Sequence, residues 1–163
     1  VPFPADPAVF ARAAAVGREV RALEAFQRAP APAFRTREFC KLVGEPDATT
    51  AVAEITYSDG TLSAWRHGNA AVPAFTGLPL AVWNFSVSGY RVLPRWIDGR
   101  KGLPVTLELL RELRDVAARI HELIHWFAQA DLVLQDTLAH TVTRAGLGFP
   151  APAHDDEATD GDD

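Results

Sequence analysis

The feature that most constrains the fold is a stripe of apolar residues in the last third of the chain. Apolar residues recur there at alternating spacings of four and three, the spacing of one face of an α-helix. The stripe comprises Leu109, Leu113, Val116, Ile120, Leu123, Phe127, Ala130 and Leu134. The spacing predicts one long helix after Pro104, packed along a partner element.

The rest of the chain predicts shorter elements. Apolar residues at helical spacing, with a proline in the first turn, predict a helix over about 7–28. Alternating β-prone segments around Asp59-Gly60 predict a hairpin with a type I′ turn. The apolar run at 82–87 predicts a strand, and Pro94 followed by glycine predicts a short helix at 93–98.

Together these elements predict an α+β fold with an N-terminal helix, a small antiparallel β-hairpin or sheet region, and a long C-terminal helix. The chain has 163 residues, 48% of them hydrophobic, which is enough for one core. We therefore expect a single domain over 1–150. The segment 151–163 carries six acidic residues and nothing apolar larger than proline, so we expect a disordered acidic tail, without which the body is close to neutral.

Composition also bears on the setting of the chain. The sequence holds no methionine, which suggests a piece of a longer polypeptide. It shows neither an apolar run long enough to span a bilayer nor a signal-peptide pattern, so we expect no membrane partner. The single cysteine, Cys40, excludes an internal disulfide and fits a reducing compartment, with the cytoplasm as the default expectation.

Within the long helix, His121, Glu122 and His125 spell H-E-x-x-H, the signature of zinc proteases. At about 100° per residue, both histidines lie more than about 120° from the apolar stripe, so we expect an exposed pair. A third zinc ligand is needed, but Ala128 stands where a turn-making glycine would bring Asp131 back. A zinc protease with ligands His121 and His125 is therefore an alternative, and the main prediction has no metal and no catalytic residue in this chain.

Other catalytic signatures are missing from the sequence. It contains no G-x-S-x-G, P-loop, G-x-G-x-x-G or D/N-P-P-Y/F motif. Cys40 has no neighbouring residue that would mark it as a nucleophile, and we expect it to be a small buried apolar residue.

The segment "VWNFSVSGYRVLPRWIDGRKG", residues 82–102, carries the most specific pattern. It resembles the C-terminal specificity region of type ISP restriction-modification enzymes and related adenine-specific DNA methyltransferases. Its matching positions include the structural motif residues Trp83, Gly89, Tyr90 and Trp96. The resemblance implies that methyltransferase and helicase-nuclease domains lie upstream, that S-adenosylmethionine binds there, and that this chain reads double-stranded DNA for them.

Reading DNA requires cations for phosphates and donors for base edges. The candidate DNA-binding residues are Arg66, Arg91, Arg95, Arg100 and Lys101, with Arg35, Arg37 and Lys41 as a second patch. Arg100 is equally open to a structural role, bonding carbonyls or an acid. The motif aromatics are expected in the core, and Gly89 is expected to supply a special backbone conformation. A third hypothesis is a protein-interaction module that docks through the apolar stripe.

Overall fold

The computed structural model describes residues 3–46, 48–66, 74–142, 146 and 148, without the side chain of Arg66. The helices are α1 (Pro7–Glu24), α2 (Leu80–Asn84), α3 (Val92–Asp98) and α4 (Leu107–Ala139), with a 3-10 turn at Pro32–Phe34. The strands are β1 (Phe3–Pro4), β2 (Lys41–Val43), β3 (Ala51–Ser58), β4 (Thr61–Arg66), β5 (Ala74–Thr76), β6 (Ser86–Val87), β7 (Tyr90–Arg91) and β8 (Thr141–Val142). The predicted α+β class is confirmed, while the predicted acidic tail lies outside the described residues.

Helix α4 is the predicted long helix, and it begins where a side chain can cap it. The hydroxyl oxygen of Thr106 accepts a hydrogen bond from the backbone N–H of Leu109 at 3.1 Å. The stripe is buried over its first half at Leu113, Ile120 and Leu123. Its second half is more open, since Phe127 and Leu134 are exposed. The stripe therefore holds this domain together at one end and lines a surface at the other.

Helix α1 runs antiparallel to α4. Arg12 near its start pairs with Asp136, whereas Arg28 beyond its end pairs with Glu122. Strands β1 and β8 pair at the same end as the Arg12 contact and tie the two ends of the described chain together. Between the helices, an apolar groove of about 520 Å³ contains Phe10 and residues from the open half of the stripe.

The predicted end of α1 was four residues too late. The helix ends at Glu24, and Phe26 adopts a positive φ of 55°. A non-glycine residue in this region reverses the chain direction and cannot continue a right-handed helix. Phe10 and Phe26 are both exposed.

Four antiparallel strands form the main sheet, in the order β2-β5-β4-β3. The β3–β4 hairpin turns at Asp59 and Gly60, whose φ values of 49° and 78° are both positive. Two consecutive positive φ values are the requirement of a type I′ turn. The predicted hairpin is therefore confirmed in position and in turn geometry.

The predicted strand at 82–87 was wrong, because its first part is helix α2. Val82 and Trp83 are adjacent and both buried, whereas successive side chains of a strand point to opposite faces. The short helix makes this possible, with the N–H of Trp83 donating to the carbonyl of Pro79 at 3.1 Å. Only Ser86–Val87 is extended.

One core joins the sheet to α2, α3 and α4. Its fully buried members come from every layer and include Leu62 and Phe75 of the sheet, Leu78 of the loop before α2, Val82, Leu93 and Ile97 of the short helices, and Leu113 of α4. Cys40 is buried beside them, as expected, and burial raises the pKa of its thiol to about 12. Within the described ranges, no helix has the length and apolar character of a membrane-spanning segment.

Candidate nucleic-acid interface

The segment that carries the specific sequence pattern folds into α2, the β6–β7 hairpin and α3. Two aromatic stacks fix its base to the rest of the domain. The ring of Trp83 stacks on Tyr57 of β3 at 4.9 Å, and the ring of Phe85 stacks on Phe127 of α4 at 6.1 Å, both between centroids. The residues at the start of the hairpin therefore pack against both the sheet and the long helix.

The β6–β7 hairpin has two residues in each strand and two in its loop. Val87 pairs with Tyr90 around a two-residue loop of Ser88 and Gly89, whose φ values of 50° and 81° are both positive. A Cβ added to Gly89 would meet no atom within 4 Å, so the glycine serves backbone conformation and not close packing. The expectation for Gly89 is confirmed, and the tip projects into open space.

The motif aromatics have different environments. Trp83 is buried, as expected, and Trp96 is partly buried. Tyr90 was expected in the core as well, but 62% of it is exposed, and 55% of its partner Val87 is exposed. The expectation was wrong for Tyr90 because the hairpin carries it away from the body of the domain. An aromatic ring and an aliphatic side chain are thus displayed next to each other.

Cations lie over the aromatic rings of this segment. The guanidinium of Arg91 lies 5.2 Å from the centroid of Trp83, and that of Arg95 lies 4.9 Å from the centroid of Tyr90. Arg91 precedes the first residue of α3, so the two arginines do not share one helix face. Among the described residues, no carboxylate forms an ion pair with Arg91, Arg95 or the exposed Lys101.

Arg100 has a different environment. Its guanidinium lies 3.5 Å from the ring centroid of Trp96 and donates to the carbonyl of the same residue at 3.1 Å. A nitrogen of this group is also 3.8 Å from a carboxylate oxygen of Glu112. These contacts match the structural role that the sequence left open, with Glu112 as the acid.

A cleft of about 280 Å³ separates α3 from β3. Arg91 and Lys101 line it, but so do the carboxylates of Glu54 and Asp98. The lining of this cleft therefore has mixed charge. Arg95, beside Tyr90, does not line this cleft.

The second predicted patch is more dispersed. Arg35 pairs with Asp115 at 3.4 Å and Lys41 pairs with Glu38 at 3.2 Å, while Arg37 is exposed. The sequence reasoning missed two arginines of α4, Arg111 and Arg114, which line a cleft of about 490 Å³ together with Arg35 and Asp115. Their i, i+3 spacing places them on one helix face and could have indicated this.

Arg66, the remaining candidate, ends β4. Its backbone pairs with Ala51 of β3, but its side chain lies outside the described residues. Its predicted role therefore stays a prediction.

The H-E-x-x-H residues belong to the packing of α4. His125 is exposed as expected, but His121 is half-buried, with its ring stacked on Phe39 at 4.9 Å and edge-on to Phe34 at 5.2 Å. Nδ1 of His121 is buried without a hydrogen-bond partner among the described residues. The expectation of an exposed pair was wrong for His121, because loop aromatics cover α4 on the side away from the apolar stripe.

Glu122 is only 2% exposed, and its carboxylate is fully engaged. It accepts hydrogen bonds from Arg28 at 2.6 Å, the N–H of Ala31 at 2.8 Å and Nε1 of Trp126 at 3.3 Å. Burial alone would raise the pKa of Glu122, but these donors together lower it below its ordinary value. A carboxylate held in this way is not available as a general base for a zinc-bound water.

The geometry of a zinc site is not met elsewhere in the described residues either. Helix α4 continues without a break past Asp131, which therefore lies about 15 Å along the axis from His121. Within the described ranges, no group of three or more His, Cys, Asp or Glu side chains could hold a metal ion. Nothing in the described residues favours the zinc-protease alternative.

Comparison with known protein families decides the identity. The model of the type ISP C-terminal specificity domain matches residues 1–124. The chain belongs to this family. The match contains the hairpin, the cationic residues around it and the N-terminal half of α4, so the specificity domain includes the whole candidate interface. Comparisons with curated proteins and with solved structures gave no match.

Proposed function

We propose that this specificity domain recognises the target sequence in double-stranded DNA for methyltransferase and helicase-nuclease domains placed upstream. The observation that carries the proposal is the family match over residues 1–124, which supports a role in DNA target recognition. In such an enzyme, S-adenosylmethionine would bind the methyltransferase domain and would not need a site in this chain. The specificity domain would supply recognition, and its neighbours would supply the chemistry.

Three exposed cations, Arg91, Arg95 and Lys101, support the proposal physically. These side chains are exposed and carry no carboxylate partner among the described residues. Cations in this state can neutralise DNA phosphates without first breaking an internal ion pair. Arg91 and Arg95 also rest against aromatic rings, which limits the side-chain freedom that binding would cost.

The experiment is a fluorescence titration of the chain with duplex DNA of mixed sequence at several salt concentrations. Wild type is expected to bind with a negative slope of log K against log salt. The double variant Arg91→Ala/Arg95→Ala is expected to reduce the magnitude of that slope by roughly two, one for each lost phosphate contact.

The matched control is Arg18→Ala/Arg21→Ala, which removes the same charge from exposed positions on α1. This control is expected to leave the slope close to that of wild type. Absence of salt-dependent duplex binding by wild type would overturn the proposed function. An equal effect of both double variants would show that only net charge matters and would remove Arg91 and Arg95 from the interface.

A further inference from the structure

The β6–β7 hairpin has a shape that a DNA-reading surface can use. Its base is closed by the N–H of Val92, which donates to the carbonyl of Phe85 at 3.0 Å. From Phe85 the chain advances three residues to Ser88, the first residue of the loop. At about 3.3 Å per residue, the hairpin extends about 10 Å from its base.

These dimensions favour the major groove of B-form DNA. The major groove is about 12 Å wide and 8.5 Å deep and admits a two-stranded ribbon, whose strands lie about 4.8 Å apart. The minor groove is only about 6 Å wide, so the DNA must be deformed before a ribbon with its side chains can enter it. A hairpin of this length would bring its loop to the edges of the nucleobases in the major groove. Its open end, at Phe85 and Val92, would stay near the phosphates.

The exposed side chains at the tip of the hairpin lie on one of its faces. Val87 and Tyr90 are cross-strand partners, so they lie on the same face of the hairpin, and both are more than half exposed. Ser86 and Arg91 form the other pair, and Arg91 is held toward the body of the domain by its contact with Trp83. The face that points away from the domain is therefore the face of Val87 and Tyr90.

We propose that the β6–β7 hairpin enters the major groove and that Val87 and Tyr90 are specificity-determining residues. This inference rests on the proposed function. Val87 provides an apolar contact of the kind that recognises the methyl group of thymine, and the hydroxyl of Tyr90 can donate to or accept from a base edge. Arg95, stacked on the Tyr90 ring, fixes that ring and places a cation beside it for a phosphate at the groove edge.

The open end of the hairpin is held rigidly by the rest of the domain, which makes this role physically reasonable. Trp83 and Phe85, which flank the start of the hairpin, are both stacked on aromatic rings of other elements. The type I′ loop fixes the relative position of the two strands. A reading element held in this way loses little conformational freedom on binding, so that small differences between base pairs can appear as differences in affinity.

The test is selection of binding sites from a duplex library with a randomised core, using the full chain. Wild type is expected to enrich a defined motif. Val87→Ser and Tyr90→Ala are expected to relax one or two positions of that motif and to lower the ratio of selected-site to random-duplex affinity by about tenfold to a hundredfold. For Val87→Ser, the affinity for random duplex and its salt slope should stay close to wild type. Tyr90→Ala should keep the salt slope but lower the affinity for random duplex slightly, because it removes the ring against which Arg95 rests.

Phe10→Ala is the matched control, since it removes an exposed aromatic ring from α1, outside the hairpin. Methylation interference provides a second readout. Modification of guanine N7, in the major groove, should block binding at guanines within or next to the positions that the hairpin variants relax, whereas modification of adenine N3, in the minor groove, should not.

The outcomes separate the two proposals. If wild type binds no duplex, the proposed function fails and the hairpin inference fails with it. If wild type binds duplex but selects no motif, or if both hairpin variants select the wild-type motif with an unchanged affinity ratio, the hairpin inference alone is overturned. Interference at adenine N3 in place of guanine N7 would also overturn it.

Discussion

The carboxylate of Glu122, almost wholly buried in α4, accepts a hydrogen bond from Arg28, 94 residues earlier in the chain, at 2.6 Å. The same carboxylate accepts the N–H of Ala31 at 2.8 Å. The segment that leaves α1 is thus fixed to the middle of the long helix through one side chain. A residue that the H-E-x-x-H pattern assigns to catalysis therefore holds two parts of the fold together.

Replacing this carboxylate should be costly for stability. Glu122→Ala leaves the N–H of Ala31 without its acceptor and removes the partner of a partly buried guanidinium. We expect a loss of about 2–4 kcal/mol in the free energy of unfolding, measured by urea denaturation. Glu24→Ala, at an exposed position near the end of α1, should change it by less than about 0.5 kcal/mol. Similar values for the two variants would contradict a structural role for Glu122.

The half-buried His121 predicts a pH dependence of stability. Burial lowers its pKa in the folded protein, so the unfolded chain binds the proton more readily. Stability is therefore complete above the ordinary histidine pKa of about 6.5 and decreases as the pH falls through that value toward the folded pKa. The lowered pKa of Glu122 acts only below the ordinary carboxyl range, about pH 4.3, and does not overlap with this window.

The measurement is the free energy of unfolding between pH 8 and pH 5. His121→Gln should flatten its decrease with acidification relative to wild type. His125→Gln changes an exposed histidine one turn further along α4 and should leave the decrease in place. An unchanged pH dependence in His121→Gln would show that the ring between Phe34 and Phe39 does not resist protonation.

The long helix could be predicted from the sequence, whereas the environment of its two histidines could not. Helix α4 follows from a periodicity that extends over many turns, and the Asp59-Gly60 hairpin follows from local turn chemistry. Neither element depends on contacts between residues that are far apart in the sequence. The burial of His121 depends on Phe34 and Phe39, which contact α4 from a loop. The residue spacing within the helix contains no information about these contacts.

The candidate interface shows the same limit. The arginines and aromatics of residues 82–102 could be named from the sequence, because they fall within one specific pattern. Their arrangement could not, since the apolar run around Trp83 fits a strand as well as a short helix, and its packing on Tyr57 decides between them. The exposure of Tyr90 follows from the Ser88-Gly89 turn, a signal comparable to Asp59-Gly60 that the sequence reasoning did not use.

Two glycines with positive φ should respond differently to alanine. Gly89, with φ of 81°, has open space where a Cβ would lie, so Gly89→Ala costs only the backbone strain, about 1 kcal/mol. At Gly77, with φ of 69°, a Cβ would clash with the carbonyl oxygen of Glu38, and the backbone must shift. We expect Gly77→Ala to cost about 2–4 kcal/mol. Thermal denaturation of both variants measures the difference, and equal midpoints would contradict it.

Arg100 and Arg91 should separate stability from DNA binding, although both arginines contact a tryptophan ring. Arg100 also bonds the carbonyl of Trp96 and approaches Glu112, so Arg100→Ala should lower the free energy of unfolding by about 1 kcal/mol. Arg91 is exposed and lacks a carboxylate partner within the described residues, so Arg91→Ala should be close to neutral for stability.

In duplex titrations the order of the two variants should reverse. Arg91→Ala should reduce the salt slope by about one, as expected when one phosphate contact is lost, and Arg100→Ala should leave it nearly unchanged. The unfolding and binding measurements together form a two-by-two comparison. A variant that lowered the free energy of unfolding by about 1 kcal/mol and also reduced the salt slope by about one would show that folding and DNA contact are not separable at that arginine, because a smaller folded fraction alone lowers the affinity without changing the slope.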